Sequence, residues 1–109
     1  MSALLFRYEK DAAGHPAAHP IGGAHAGLAR FLTEEVTSED YIGLLTDCVA
    51  DAKKTGKPAV NTGNAYAVTI GGAEAVLEHL HDRHRAAVKV PLAVFELALA
   101  EWKAFTAGA

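Results

Sequence analysis

The sequence predicts an α+β domain: a small antiparallel sheet with a central β-hairpin, packed against three helices. Three observations carry this. Residues Asn64 to Ile70 and Ala73 to Leu80 alternate apolar and polar side chains on either side of Gly71-Gly72, the pattern of two strands joined by a tight turn. Leu92, Phe95, Leu99 and Trp102 recur at helical spacing after Pro91, a residue that suits the first turn of a helix. Thr37-Ser38-Glu39-Asp40 offers hydroxyl caps followed by acids, the signature of a helix start.

The remaining elements follow in order. Leu4 to Glu9 reads as a strand with Leu4, Phe6 and Tyr8 on one face. Asp11 to Pro16 is a turn, because Asp and Gly supply a side-chain bond and permissive dihedrals. A return strand from Ala17 to Ile21 is confined to an edge by Pro16 and Pro20. Gly22-Gly23 opens a helix from about Ala24 to Glu35, burying Leu28, Phe31 and Leu32. Its acidic end, Glu34-Glu35, has the wrong sign for a helix C-terminus, which marks those carboxylates as kept for another reason. The second helix runs to about Lys54 and stops at Gly56, with Lys53 and Lys54 complementing its carbonyl end. In the hairpin, Ile70 is expected opposite Ala73, Val68 opposite Ala75 and Tyr66 opposite Leu77. Ala87 to Val90 forms a last short strand. The expected sheet combines the first strand, the hairpin and this fourth strand. At 109 residues, the chain is read as a single domain, 1–109.

Charge is unevenly distributed. The net charge is −3, yet between Phe31 and Ala52 lie Glu34, Glu35, Glu39, Asp40, Asp47 and Asp51 without one lysine or arginine. On a helical projection Tyr41, Ile42, Leu45, Cys48, Val49 and Ala52 share an apolar arc, while Asp40, Gly43, Asp47 and Asp51 share another. The acids therefore form a stripe. Such a field repels phosphate backbones and attracts basic protein surfaces. With a pI near 6.0 and no exposed aromatics interleaved with its two small basic clusters, the chain is not expected to bind nucleic acid.

Other chemistries find less support. The histidines form two groups, His15, His19 and His25, then His79, His81 and His84. His79 and His81 would share one face of a strand, as metal ligands can, but no cysteine pair accompanies them, and solvated loop histidines are the expectation. Ile21 to Gly27 lacks the lysine and Ser/Thr of a phosphate loop; a turn and a close helix approach account for it. Cys48 lies on an apolar arc, as a small core residue does. No catalytic group, cofactor or metal is therefore expected, and the protein is read as not an enzyme. No apolar run reaches the roughly 20 residues that span a bilayer, no secretion signal opens the chain, and a lone cysteine excludes an internal disulfide; a cytoplasmic protein is expected.

Several patterns together resemble a type of small bacterial protein. They are Phe6…Asp11-x-x-Gly14, His25-x-x-Leu28-x-x-Phe31-Leu32-x-Glu34-Glu35-Val36, Gly63-Asn64-x-Tyr66-x-Val68-x-Ile70, and Pro91-Leu92-x-x-Phe95-x-x-x-Leu99-x-x-Trp102-x-x-Phe105. The arrangement is similar to that of immunity proteins of contact-dependent growth inhibition systems (CdiI type) and to YacL-type proteins. The resemblance implies an inhibitor that binds the toxic C-terminal domain, often a nuclease, of a cognate effector. On that reading Glu34, Glu35, Glu39, Asp40, Asp47 and Asp51 carry recognition. The alternatives are a YacL-like housekeeping protein without a toxin, and a small enzyme or metal-binding protein using the histidines.

Overall fold

Two antiparallel sheets and three helices make up the protein in the order β1 (Phe6–Lys10), β2 (Pro16–Pro20), α1 (Ala26–Glu35), α2 (Glu39–Thr55), β3 (Ala59–Thr62), β4 (Tyr66–Ile70), β5 (Glu74–His79), β6 (Val88–Pro91) and α3 (Leu92–Ala107). This computed structural model describes residues 4–22, 25–82 and 84–107. The α+β class with a central hairpin and three helices is as the sequence predicts.

The strands are partitioned differently from expectation. β1 and β2 form a two-stranded sheet of their own, and β3-β4-β5-β6 form a second, four-stranded one. A lone hairpin is marginal in water, and this one is held on both flanks by helices. On the β2 side, the Ala18 N–H donates to Thr33 Oγ1 of α1 at 3.0 Å. On the β1 side, Glu101 of α3 accepts from the Leu5 N–H and from the Tyr8 hydroxyl. On the β2 edge the Thr33 hydroxyl thus occupies a position where a neighbouring strand would pair, and Glu101 fastens the start of β1 to α3. At the turn, Asp11 Oδ1 accepts from the Ala13 and His15 N–H groups, both at 2.9 Å, and Gly14 adopts φ +86°.

β3 has no counterpart in the sequence reading. Its inward positions are Ala59 and Asn61, opposite Ile70 and Val68 of β4. Neither is a large apolar residue, so the alternation that reveals a strand is missing. The hairpin is present, with a register two residues further along: Ile70 faces Ala75, Val68 faces Leu77 and Tyr66 faces His79. The Gly71 N–H donates to the Glu74 carbonyl at 2.9 Å, which puts Gly72-Ala73, rather than Gly71-Gly72, at the tip. Ala73 is drawn into the turn because its carbonyl accepts the first N–H of α3, from Leu92, at 2.9 Å. A shift of two preserves the faces, so Tyr66, Val68, Ile70, Ala75 and Leu77 are all buried as expected.

The helices begin and end where their signals lie. Ser38 Oγ accepts from the Tyr41 N–H at 3.2 Å, and Gly56, at φ 72°, returns its N–H to the Ala52 carbonyl. The residues expected to open α1, Gly23 and Ala24, lie outside the described residues; the helix follows His25, which itself has φ 55°. Gly27 then permits close approach to β6, since a Cβ there would meet Val88 Cγ2 at 2.5 Å. All three helices lie against the inner face of the four-stranded sheet. Phe31, Phe95 and Trp102 fill the space between them.

An acidic helix face with an apolar centre

α2 turns Ile42, Leu45, Val49 and Ala52 into the core. Its opposite side carries Asp40, Leu44, Asp47 and Asp51 at spacings of four, three and four residues, all exposed, with Glu39 at the helix start. These positions lie on one face over about 16 Å of helix. Among the described residues none of the four acids is in an ion pair or accepts a hydrogen bond at its carboxylate. Lys53, close to Asp51 in sequence, is turned away to Glu96 of α3 at 3.0 Å. Lys54 follows at the end of the same side of α2, and among the described residues it forms no ion pair with these carboxylates.

Two features were not legible from charge alone. Leu44 is 45% exposed in the middle of the acids, an apolar centre in a polar rim, as at protein-binding surfaces. Gly43 is not required by packing, because a Cβ there would meet nothing within 4 Å. Its lack of a side chain leaves the surface between Asp40 and Asp47 open. Leu44 falls on the acidic arc, where a solvated helix ordinarily places a polar residue, so amphipathicity is the signal that marks it.

Glu34 and Glu35 are not on this face. Glu35 is 8% exposed and its carboxylate reaches the β3–β4 turn, accepting from the Ala65 N–H at 3.0 Å and the Tyr66 N–H at 2.7 Å. A buried carboxylate committed to two backbone donors is unavailable to a partner, so Glu35 leaves the recognition set. Glu34 accepts from the Tyr66 hydroxyl at 2.6 Å and pairs with Arg85 at 3.4 Å and Arg30 at 3.8 Å. The Tyr66 hydrogen bond, followed by Arg85 and Arg30, holds its carboxyl below the usual range against some desolvation. The wrong-signed end of α1 is thereby explained: backbone N–H groups and two guanidinium groups offset its charge, and the two carboxylates fasten α1 to the sheet.

Space around this fastening is tight. A Cβ on Gly63 would lie 2.8 Å from Glu35 Oε2 and 3.1 Å from the Tyr41 hydroxyl. The Tyr41 hydroxyl is buried without a hydrogen-bond partner among the described residues. Burial, with Glu35 behind it, pushes this phenol up to about 12; burial and the Glu34 hydrogen bond take Tyr66 to about 12 as well. Burial and Glu101 also raise Tyr8. All three phenols ionise less readily in the folded chain than at the ordinary value of 10.0. A raised folded-state pKa contributes stability that is fully present below the unfolded value and is lost as pH rises through the folded one. The urea midpoint should therefore hold steady up to about pH 10 and decline from there through about 12, with phenolate absorbance appearing as the chain unfolds. A midpoint unchanged across that interval would contradict the burial of these hydroxyls.

His79 and His81 lie against each other, their rings edge-on with 6.1 Å between centroids. His81 donates its N–H to His79 Nδ1 at 3.2 Å, and its ring Nε2 lies 3.0 Å from the Asn64 carbonyl. The His79 ring meets Tyr66 edge-on, 5.0 Å between centroids. β5 ends at His79, so His81 belongs to the loop rather than to the same strand face. His19 Nε2 is 2.8 Å from Glu9. Among the described residues no group of three or more His, Cys, Asp or Glu side chains is placed to hold a metal ion. Cys48 is half-buried, and burial, with Asp51 and Asp47 beyond it, pushes its thiol up, away from the reactive thiolate.

Fold and surface together define a small α+β domain whose second helix displays unpaired acids around an exposed leucine. No protein-family model, curated protein or solved structure matches the chain. No helix among the described residues is long and apolar enough to cross a membrane.

Proposed function

We propose that this protein acts without catalysis, by binding a basic surface of another protein through the outward face of α2. The observation that carries the reading is the set Asp40, Asp47 and Asp51, exposed, unpaired and arranged about Leu44. Unpaired like charges on one face accelerate encounter with an oppositely charged partner, and a central apolar side chain slows its escape. With the resemblance to immunity proteins of contact-dependent growth inhibition, the partner is the toxic C-terminal domain of a cognate effector. A nuclease domain, whose substrate-binding cleft is basic, is the type that such a face would occlude.

The test begins with the product of the adjacent reading frame, co-expressed with this chain and co-purified. On the purified pair, Asp47→Lys combined with Asp51→Lys should leave the circular dichroism spectrum intact, since both positions are solvated. It should slow association by about tenfold or more at low ionic strength, with a smaller effect at high salt. Leu44→Ala should act instead on dissociation, shortening the lifetime of the complex. Association kinetics unaltered by the double charge reversal at low salt would remove α2 as the contact surface.

A further inference from the structure

Between the first half of α1 and the β5–β6 side of the sheet lies a cavity of about 270 Å³, at the small end of the sizes that hold ligands. Its apolar floor is Leu77 and Val88, paired across β5 and β6, with Ala86 beside them. Its polar wall is Arg30 of α1, Arg85 of the β5–β6 loop, and His79. Among the described residues no carboxylate lines it. His79 Nδ1 accepts the His81 N–H at 3.2 Å, so in the neutral ring the proton sits on Nε2, which is then a donor. Donors and positive charge thus stand over an apolar floor.

Arg85 decides what such a cavity can hold. Its side chain is 19% exposed, and a guanidinium so far removed from water ordinarily meets a carboxylate at about 2.7–2.9 Å. Here its shortest contact is with the neutral Tyr66 hydroxyl, at 3.1 Å. Both of its Nη atoms stand 3.4 Å from a single oxygen of Glu34, and its Nε is 3.8 Å from Asp82. Each acid has a closer partner elsewhere. Glu34 accepts from the Tyr66 hydroxyl at 2.6 Å, and Asp82 from the His84 N–H at 3.0 Å. Arg30 reaches Glu34 only at 3.8 Å. The two guanidinium groups are therefore held by long contacts, and N–H donors of both remain unused among the described residues.

We propose that this cavity binds a small monocarboxylate with a short apolar or aromatic body. The carboxylate lies between Arg85 and Arg30, and the body lies on Leu77, Ala86 and Val88. A guanidinium fork matches a carboxylate in plane and in spacing. Glu34 and, from further off, Asp82 offset part of the positive charge, so a single negative charge suits the site. A phosphate dianion would set its second charge against Glu34, and the floor has no donor for its remaining oxygens. Among the described residues none of α2 lines the cavity, so this site stands apart from the acidic face.

Benzoate is the probe, followed by chemical-shift changes in the isotopically labelled chain with no other protein present. It should shift the amide signals of Gly27, Leu77 and Val88 saturably in the millimolar range, as a ligand of so few atoms does. Benzamide, the same shape without the charge, and inorganic phosphate should not. Arg85→Gln and Arg30→Gln should each weaken benzoate binding about tenfold, the loss of a charged hydrogen-bond partner. The Arg30 side chain is 60% exposed, so its variant keeps the fold even where Arg85→Gln does not, and the urea midpoint reports which variants are native. Ala86→Phe, at an exposed position, should abolish binding by filling the cavity. Absence of any saturable shift with benzoate would overturn the proposal, as would benzamide or phosphate binding as tightly. Benzoate affinity indifferent to both arginine substitutions would also overturn it, by placing the acid elsewhere.

Discussion

Replacing Trp102 with alanine is expected to remove about 3–5 kcal/mol of stability, the range for deleting a fully buried large aromatic side chain. Trp102 is 1% exposed and stands where several elements meet. Its ring contacts Tyr8 of β1 and Phe105 one turn along α3. Its indole N–H donates to the Val36 carbonyl at the end of α1, at 2.8 Å. Truncation would therefore open a cavity and leave a buried carbonyl unpaired. Small domains have about 5–15 kcal/mol in total, so this variant should sit near the limit of folding. The measurement is the urea midpoint with unchanged slope, compared with Trp102→Phe. The phenylalanine refills most of the volume but has no N–H for Val36, and should cost about 1–3 kcal/mol. A Trp102→Ala loss below about 1 kcal/mol would be incompatible with this packing.

Glu35→Ala is expected to cost about 2–4 kcal/mol, an unusual result for a carboxylate at a helix end. Hydrogen bonds to an ionised group are worth about 1.5–3 kcal/mol, and this one accepts from both Ala65 and Tyr66. Removing it leaves the N–H groups of a tight β3–β4 turn without their acceptor and releases α1 from the sheet. Glu34→Ala is the control. Its carboxylate makes comparable contacts to Tyr66 and Arg85, but its side chain is 41% exposed, so solvent can replace what is lost and the cost should stay below about 1 kcal/mol. Equal effects at the two positions would mean that burial does not separate them. If Glu35→Ala proved neutral, the turn would have to be held by its own Gly63 N–H to Tyr66 carbonyl bond, 2.8 Å long.

These two glutamates show where sequence reasoning stops. Their placement at a helix C-terminus was legible as an anomaly, since the sign of the charge opposes the helix dipole. The resolution of the anomaly was not, because the donors come from residues about thirty positions away. Counting Glu34 and Glu35 with the α2 acids was reasonable from spacing along the chain. In space, one pair fastens the fold and the other acids face outward.

The same division runs through the fold. Caps, turns and periodicity are local, and they located α2, α3, the hairpin and its inward face from spacing alone. Charge segregation was equally local, and the stripe of Asp40, Asp47 and Asp51 was already written along one side of α2; that these acids form no ion pair among the described residues was not. Tertiary structure alone decided which elements meet. It put β1 and β2 in a separate sheet, with Thr33 taking up the free Ala18 N–H on the β2 edge and Glu101 holding the Leu5 N–H just before β1. It made a strand of Ala59 to Thr62, whose own side chains do not announce one, because β4 offers a ladder there. It moved the hairpin register by two because the first N–H of α3 claims the Ala73 carbonyl. The physical reason is common to all three: a backbone hydrogen-bonding group is satisfied by whichever partner the packed chain brings to it, and distance along the sequence carries no record of that choice.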